Sequence, residues 1–558
     1  IFSPLLVKMG YPEAGLLLVF LSSLAYHIVR GVGIISFNPM VGAISEGKYR
    51  GDFLSRLQII NSVVAIGTGL LTAWLLGKEA PLGRYTVFII VGIVTGVYSA
   101  FLIYRLPEAP MESEKGSEES IFATLKRGIR RKSFVRFCVT LFFLSICFGM
   151  ASPFIITFSR DLYAQSDSMI LLFSVVGSVG AMAIGFLTRL LIDRVGSKPL
   201  YILFTAFFGL TLIPLYLSLA LAGSALIVYL AVLFFMNQIG IIGGQITAQN
   251  YFFGIITQKE HLNMGIIYNL LTGIAGIIGS LLGGILLDVL KTVLPAAAVY
   301  RIFFSIPLAA SFFILVGMTR LESAGGYSIM NALSIIFSPR DLRAVSLLRK
   351  LDKSSTITEE VQMIREIADS QSGVPVEDLL QKLRSPRFQV RYNALRALEQ
   401  LPISDGVVKA LISEVKNHEY TTAYVAARII GDKKIQQGKR ALRAALSSED
   451  YLLRAKAIMS LAQIEDRESM GQIRKIFRKS DNPMVKIHCA YAMDIYKSMD
   501  AIPALIADLK GENHHPFVRD EIILSMSGIL GMDEWFYPLY NTFLEKAGDA
   551  VADLADWA

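Results

Sequence analysis

Residues 190–200 read LLIDRVGSKPL, a short charged turn between two long apolar segments. The segment before the turn covers residues 168–192, and the segment after it covers residues 199–221. A bilayer core about 30 Å thick accommodates roughly 20 apolar helical residues, so each segment is long enough to cross a membrane. Because Arg and Lys favour the cytoplasmic side of a membrane, Arg194 and Lys198 predict a membrane hairpin whose turn lies in the cytoplasm.

The same pattern continues through the first 320 residues of the chain. Segments of membrane-spanning length alternate there with short polar loops. Since a helix satisfies its backbone hydrogen bonds internally, we expect every span to be helical. The nine predicted spans lie near residues 14–40, 56–77, 85–105, 134–158, 168–192, 199–221, 224–252, 263–290 and 297–318.

Composition divides the chain into two parts that suit different solvents. Of its 558 residues, 53% are hydrophobic and 18% are charged, and the mean hydropathy is +0.51. These values exceed what a soluble protein of this length needs for its core. We expect a transmembrane domain over residues 1–320, an interfacial helix and linker over 321–340, and a cytoplasmic helical domain over 341–558.

The loops predict how the chain is oriented in a cell membrane. The richer set contains Lys48, Arg50, Arg56, Lys126, Arg127, Arg130, Arg131, Lys132, Arg136, Arg194, Lys198 and Lys259. The opposite set contains Lys8, Lys78, Arg84, Arg160, Lys291 and Arg301. The richer set should be cytoplasmic, which places residue 1 outside and residue 320 inside. The net charge of +8 suits such loops, and we expect no nucleic-acid partner.

Two stretches indicate an internal repeat within the membrane region. They are SEGKYRGDFLSRLQIINSVVAIGTGLLTAWLLG from Ser45 and ITQKEHLNMGIIYNLLTGIAGIIGSLLGGILLD from Ile256. Aligning Asn61 with Asn269 pairs the first three spans with the last three and leaves the middle three unmatched. We therefore expect an incomplete N-terminus, with three helices preceding residue 1 and six in each half. Small residues let membrane helices approach closely, so we expect close packing at Gly67, Gly69, Gly273, Gly276, Gly279, Gly283 and Gly284.

Two turns resemble those of the major facilitator superfamily. DRVGSK at 193–198 resembles the cytoplasmic loop signature of that family, and EGKYRGDFLSR at 46–56 resembles its basic Arg-Gly turn. The resemblance implies two rocking six-helix halves and a charge relay that steadies the inward-closed arrangement. The gating residues that it implies are Asp193, Arg194, Gly196, Lys198, Arg50 and Gly51. Arg189 stands where the family has a helix-packing Gly, and Asp193 alone also fits a solvated helix end.

Polar side chains share one face in each of two repeat-related spans. His27, Arg30 and Asn38 follow a helical period in the first span, and Gln238, Gln245 and Gln249 follow one in the seventh. A charged group in mid-membrane costs on the order of 3 kcal/mol unless it is paired or hydrated. We expect these six residues to line a central solute site, which the family resemblance also places between these two helices. The alternatives are that Arg30 extends to the cytoplasmic interface, that Asn38 caps a kink before Pro39, and that His27 is a packing residue.

Arg30 has no carboxylate in the middle of any predicted span to pair with. Its counter-charge therefore comes from an anionic solute or from preceding helices, and in the second case proton coupling is an option. The sequence leaves both open.

The C-terminal part carries a repeat of another kind. FQVRYNALRALEQL at Phe388 and YLLRAKAIMSLAQI at Tyr451 share a hydrophobic–basic pair followed by small residues. The recurring positions, 31 to 33 residues apart, are Ala394, Ala426, Ala457, Cys489 and Ile522. This period and the Val-Arg core resemble HEAT-type repeats, which implies an α-solenoid with a protein-binding surface. The predicted fold class is all-α, a polytopic membrane bundle followed by a soluble α-solenoid, with residues 327–338 as an interfacial helix.

We find no catalytic motif, so we expect a transporter and not an enzyme, with no cofactor and no metal. The three cysteines form no CxxC pair, and His514 and His515 have no second ligand cluster in the sequence nearby. The leading hypothesis is a secondary active transporter of a small solute that works by alternating access. Alternatives are a transporter-derived receptor or scaffold that docks partners through its helical repeats, and a nucleotide exchanger.

Overall fold

The computed structural model describes residues 13–22, 50–76, 82–105, 121–256, 260–322, 327–511 and 515–532, and a few single positions outside these ranges. Within these ranges every regular element is a helix. The chain divides into two compact units, Ile1–Phe337 and Ser338–Ala558.

The first unit is a bundle of long apolar helices. Seven described helices, α2 and α5 to α10, are long and apolar enough to cross a membrane. At the other two predicted spans, the described residues form the shorter apolar helices Glu13–Ser22 and Val87–Leu102. The helices of this unit are α1 (Glu13–Ser22), α2 (Arg50–Leu76), α3 (Leu82–Tyr104), α4 (Ile121–Ile129), α5 (Lys132–Tyr163), α6 (Asp167–Val195), α7 (Ser197–Leu217), α8 (Gly223–Ile255), α9 (His261–Val293), α10 (Ala296–Thr319) and α11 (Ile329–Phe337).

Aromatic side chains fill the interior of this bundle. The largest fully buried ones include Phe137, Phe158, Tyr201, Tyr251 and Tyr300, contributed by α5, α7, α8 and α10. The Phe137 and Tyr251 rings lie 5.2 Å apart, and the Phe158 and Tyr300 rings lie 5.2 Å apart. The bundle core therefore sits among these four helices, while the outward faces of the helices remain apolar.

Glycines set the closest helix approaches, although not all of them are the predicted ones. A Cβ atom on Gly69 would lie 2.7 Å from Val175, and one on Gly283 would lie 2.6 Å from the Phe154 ring. A Cβ on Gly279 would meet the backbone carbonyl of Ile146. Of the other predicted positions, Gly67, Gly273, Gly276 and Gly284 have open space at the Cβ position.

Helix α11 lies within the segment predicted to be an interfacial helix, and it packs against α7. Ala332 and Ile335 are buried, whereas Met330 and Phe337 are exposed. Its location at a membrane surface stays a prediction.

The second unit is a two-layer array of short helices. In one layer α13, α15, α17, α19, α21 and α23 follow one another, and the remaining helices pack against them from the other layer. The five recurring positions predicted from the sequence, Ala394 to Ile522, all have 0% exposure. The helices are α12 (Pro339–Lys353), α13 (Ile357–Asp369), α14 (Val376–Lys382), α15 (Phe388–Gln400), α16 (Asp405–Asn417), α17 (Ala423–Asp432), α18 (Lys439–Ala445), α19 (Tyr451–Gln463), α20 (Met470–Lys479), α21 (Pro483–Ile495), α22 (Ile502–Leu509) and α23 (Pro516–Leu530).

Candidate solute site and inner gate

Helix α8 carries the polar stripe that the sequence predicts. Gln238 and Gln249 are half-buried, and Gln245 is exposed. Between residues 233 and 256, all of which the structure describes, Gln245 and Gly254 are the exposed positions. The neighbours of Gln245 on both sides, from Gly243 to Ala248, are buried. One amide in the C-terminal half of an apolar helix is thus left uncovered by the described part of the chain.

Gln238 lies where α8 crosses α6. A Cβ atom on Gly177 would lie 2.9 Å from Cγ of Gln238, and one on Gly180 would lie 2.5 Å from the carbonyl oxygen of Phe235. The two glycines of α6 therefore allow the backbones to approach, which holds Gln238 against α6.

Further polar atoms are buried in the bundle without a hydrogen-bond partner among the described residues. They include the side-chain oxygen of Asn237 on α8 and the side-chain nitrogen of Asn269 on α9. Burying such a group unpaired costs about 1–3 kcal/mol. Asn237 stands next to Gln238 in the sequence, whereas Asn269 stood out only as the repeat mate of Asn61.

Several predicted site residues cannot be placed. His27, Arg30 and Asn38 lie outside the described residues. Arg50 and Gly51 form the start of α2, but their surroundings are likewise not described. The meeting of the two polar faces therefore stays a prediction.

Helices α2 and α6 pack antiparallel along their length. Oγ of Ser55 lies 3.2 Å from Oγ1 of Thr188, and both side chains are fully buried. One turn further on, a Cβ atom on Gly185 would lie 3.0 Å from Ile59. Because the two helices run antiparallel, residues that follow Thr188 on α6 lie beside residues that precede Ser55 on α2. Asp193 therefore lies at the level of the first turn of α2. Sequence reasoning missed Gly185, which provides close packing one turn before Arg189.

The turn between α6 and α7 requires its glycine. Gly196 has φ of +97°, a backbone conformation that residues with a Cβ rarely adopt. It ends α6 after Val195 and lets α7 start at Ser197. Asp193 is exposed, and Arg194 and Lys198 are half-buried.

Three side chains from three helices donate to the segment that directly follows α10, residues 320–322. Arg136 of α5 donates to the carbonyl oxygen of Arg320 at 3.3 Å, and Tyr251 of α8 donates to that of Glu322 at 2.9 Å. Nζ of Lys198 donates to the carbonyl oxygen of Leu321. These carbonyls follow Thr319, the last residue of α10, so no helical N–H bonds them and they accept side-chain donors instead. In addition, the backbone N–H of Tyr327 donates to the carbonyl oxygen of Val195 at 3.0 Å.

Helices α5 and α9 are joined by ion pairs at both ends. At one end, Arg131 makes two 3.0 Å hydrogen bonds to the carboxylate of Glu260, which is 5% exposed. At the other end, Nζ of Lys291 lies 2.5 Å from Asp161, which also accepts a 2.7 Å hydrogen bond from Tyr300. None of these contacts was expected from the sequence.

The amphipathic helix α4 joins the first of these clusters. Arg127 lies 3.8 Å from Glu260, and the amide of Asn263 donates to Thr124 at 3.1 Å. The helix that precedes α5 is thus attached to the junction of α8 and α9.

No three His, Cys, Asp or Glu side chains come together as a metal site would require, within the part of the chain that the structure describes.

The class of this protein follows from the families that its two regions match. Residues 2–279 match the Major Facilitator Superfamily, and residues 408–493 and 439–527 match HEAT repeats. A search among curated proteins found no match. The membrane region therefore belongs to the major facilitator superfamily, a family of transporters, and the C-terminal region contains HEAT repeats. The chain is a multi-pass membrane protein of the transporter class, which confirms the family, the fold class and the repeat type predicted from the sequence.

Proposed function

We propose that the membrane unit carries a small polar solute by alternating access and that α8 supplies part of the solute site. The exposure of Gln245 carries this proposal. An amide that faced lipid in the inner half of an apolar helix would lose its hydrogen bonds to water, so polar residues in membrane helices face the bundle interior or a water-filled cavity. Gln238 and Gln249 extend the same face along α8.

The other half of the site belongs to the first predicted span. Arg30, with His27 and Asn38, supplies the positive and polar groups that face the α8 stripe. The acidic residues of the described membrane helices, including Asp161, Asp193 and Asp288, lie towards helix ends. An anionic solute that pairs with Arg30 accounts for an arginine in this position.

The inner gate lies where α2 meets α6. The small buried side chains of Ser55 and Thr188 give a smooth contact between helices from the two halves of the repeat. Rocking about this contact changes the distance between Asp193 and the first turn of α2, where Arg50 and Gly51 lie. Arg194, Gly196 and Lys198 set the shape and attachment of the moving turn.

The solenoid side of the membrane is the cytoplasmic side in this proposal. The segment that follows α10 contacts Arg136 and Lys198, which belong to the basic set of loops. Because such loops remain in the cytoplasm of a cell membrane, the domain that follows α10 is cytoplasmic.

The first test asks whether Gln245 faces water, and it does not require the solute to be known. In a background without Cys138, Cys147 and Cys489, the variant Gln245→Cys is treated with a charged thiol reagent in liposomes. Val232→Cys, on an exposed apolar face of α8, is the matched control. We expect labelling at position 245 and none at position 232. Equal labelling of the two, or none at either, would contradict the proposal.

The second test measures flux in proteoliposomes with labelled inorganic phosphate, organic phosphates, carboxylates and neutral sugars. Gln245→Leu should lower uptake of the transported solute at least tenfold, whereas Val232→Ala should not change it. Uptake of a neutral sugar alone would remove the anionic part of the proposal. Absence of flux for every solute, with partner binding retained, would favour the scaffold.

A further inference from the structure

The solenoid carries a row of exposed apolar side chains at one edge. Its members lie at the N-terminal ends of α15, α17, α19, α21 and α23, or in the turn just before them. Their exposed fractions range from 39% to 68%. We name this set the apolar edge row: Phe388, Tyr420, Tyr451, Met484 and Phe517.

The row follows the repeat. Phe388, Tyr420 and Tyr451 each precede the fully buried recurring residue of their helix by six positions, and Met484 and Phe517 precede theirs by five. Half-buried Tyr392 adds to the row, because its ring stacks on Phe388 with centroids 5.9 Å apart. Successive repeats therefore present one large apolar group each at the same edge.

Hydrogen bonds show that neighbouring turns lie side by side at this edge. The backbone N–H of Tyr420 donates to Asp450 at 3.1 Å, and its hydroxyl donates to Glu449 at 3.3 Å. Nε of Arg391 donates to Thr422 at 3.4 Å across the preceding pair of repeats. The row is consequently continuous over its first three members, Phe388, Tyr420 and Tyr451.

Acidic side chains flank the centre of the row. Glu419 and Glu449 are exposed in the turns that precede α17 and α19, whereas Asp481, before α21, has the exposed Arg478 and Lys479 close to it in the sequence. Arg387, beside Phe388, already lies 3.6 Å from Glu360. The field beside Tyr420 and Tyr451 is therefore negative and attracts a cationic partner.

We propose that the apolar edge row binds an extended basic, proline-containing peptide segment in the polyproline II conformation. Such a peptide advances about 9 Å per turn of three residues, and packed helices lie roughly 8–10 Å apart. One peptide turn therefore meets one repeat. Prolines pack on the exposed rings, and the lysine or arginine side chains, one in every three residues, face Glu419 and Glu449.

A soluble domain does not leave a contiguous row of this kind without a role, since large exposed apolar patches mark interaction sites. The acidic flank argues against an anionic membrane surface as the occupant, because it repels acidic lipid headgroups.

The test measures fluorescence anisotropy with the full chain in nanodiscs of neutral lipid. The probe is a labelled peptide of four Pro-Pro-Arg triplets, and the controls are the matching Pro-Pro-Glu and Gly-Ser-Arg peptides. We expect saturable binding of the first peptide, weakened by added salt, and at least tenfold weaker binding of both controls.

Variants locate the site. Tyr420→Asn with Tyr451→Ala should weaken binding about tenfold or more, and Asn suits the left-handed backbone at position 420, where φ is +62°. Tyr491→Ala, a similarly exposed tyrosine away from the row, is the matched control and should bind normally. Glu419→Gln with Glu449→Gln should also weaken binding, whereas Glu377→Gln should not.

Circular dichroism and size-exclusion profiles establish that each variant is folded. Equal binding of the Pro-Pro-Glu peptide, equal losses in Tyr491→Ala, or failure of the Pro-Pro-Arg peptide to bind would overturn the proposal. The proposal would also be overturned if the solenoid of the full chain bound protein-free acidic vesicles instead of the peptide, and if this binding depended on Tyr420 and Tyr451.

Discussion

The two units of this chain are built from the same element but stabilised by different contacts. In the membrane unit, α5 and α9 approach so closely that Gly279 faces the carbonyl of Ile146 with no room for a side chain. In the solenoid, aliphatic side chains such as Ile430 and Ile458 fill the space between layers at 0% exposure. Lipid gives no hydrophobic driving force between helices, so close backbone packing replaces it there. Water drives side-chain burial in the solenoid.

Exposed apolar residues accordingly mean different things in the two units. Ile274, Ile277 and Ile285 of α9 are more than half exposed, as lipid-facing side chains should be. In the solenoid the same exposure at Tyr420 and Phe517 indicates an interaction surface.

The largest effect is expected from a substitution that breaks the close backbone contact between α5 and α9 in the membrane unit. Gly279→Leu would force a side chain into the carbonyl of Ile146, which cannot move without displacing α5. We expect a loss of about 3 kcal/mol of stability, the upper end of the usual range for overpacking, and little monodisperse protein after detergent extraction. Gly276→Ala, where the Cβ position is open, should behave as wild type. Normal extraction of Gly279→Leu would show that the crossing is not close.

The next prediction compares one isoleucine in each unit. Ile458→Ala should lower the free energy of unfolding of the solenoid by about 2–5 kcal/mol, because it leaves a cavity in a filled core. Ile274→Ala, 52% exposed on α9, should change stability by only about 0.5 kcal/mol. Hydrogen exchange resolves the two units. Similar losses at both positions would remove the distinction between the two kinds of core.

A smaller effect is expected at the ion pair between Arg443 and Asp466 in the solenoid. Hydrogen bonds from Arg443 hold the pKa of Asp466 below its ordinary value of 3.8. The carboxylate therefore stabilises the fold at neutral pH, and this contribution is lost as the pH falls below about 4 towards the lowered pKa. Asp466→Asn should cost about 1.5–3 kcal/mol at pH 7.

The control for this prediction compares the stability of the Asp466→Asn variant with that of wild type at acidic pH. Denaturant unfolding of the variant should depend less on pH than that of wild type below about pH 4. Parallel pH profiles for the two proteins would mean that Asp466 is not held ionised by Arg443.

The smallest effect is expected at an exposed ion pair at the end of the membrane helices. Arg160 lies 2.5 Å from Asp167, but their side chains are 58% and 70% exposed. Such pairs contribute about 0–1 kcal/mol, so Arg160→Ala should scarcely change the melting temperature. Lys291→Ala should lower it more, because Asp161 is less exposed and also bonds Tyr300. The reverse order would contradict the geometry at this end of the bundle.

Much of the fold could be predicted from local sequence patterns. Spans of about 20 apolar residues and a 31-to-33-residue period have simple physical causes. Seven of the predicted spans are membrane-length helices among the described residues, and the recurring solenoid positions are all buried. The α8 stripe could be predicted for the same reason, since residues seven and eleven positions apart share a helix face. The sequence pattern could not show that Gln245 is exposed whereas Gln238, on the same helix face, is half-buried.

The long-range contacts could not be predicted. Lys198 donates to Leu321, and Arg131 binds Glu260, across well over a hundred residues of sequence. A lysine or arginine at a helix end has many possible partners, and the sequence does not choose among them. Glycine spacing had the same limit, because Gly279 packs closely whereas Gly273 does not.

The sequence by itself determined that this chain places one domain in lipid and one in water, because apolar length and helical period are properties of neighbouring residues. Tertiary structure alone decided which glycine touches a backbone, which carboxylate holds an arginine, and which apolar side chains remain uncovered. Those outcomes depend on the angles and distances at which helices cross, and each crossing is fixed by all the side chains of both helices together.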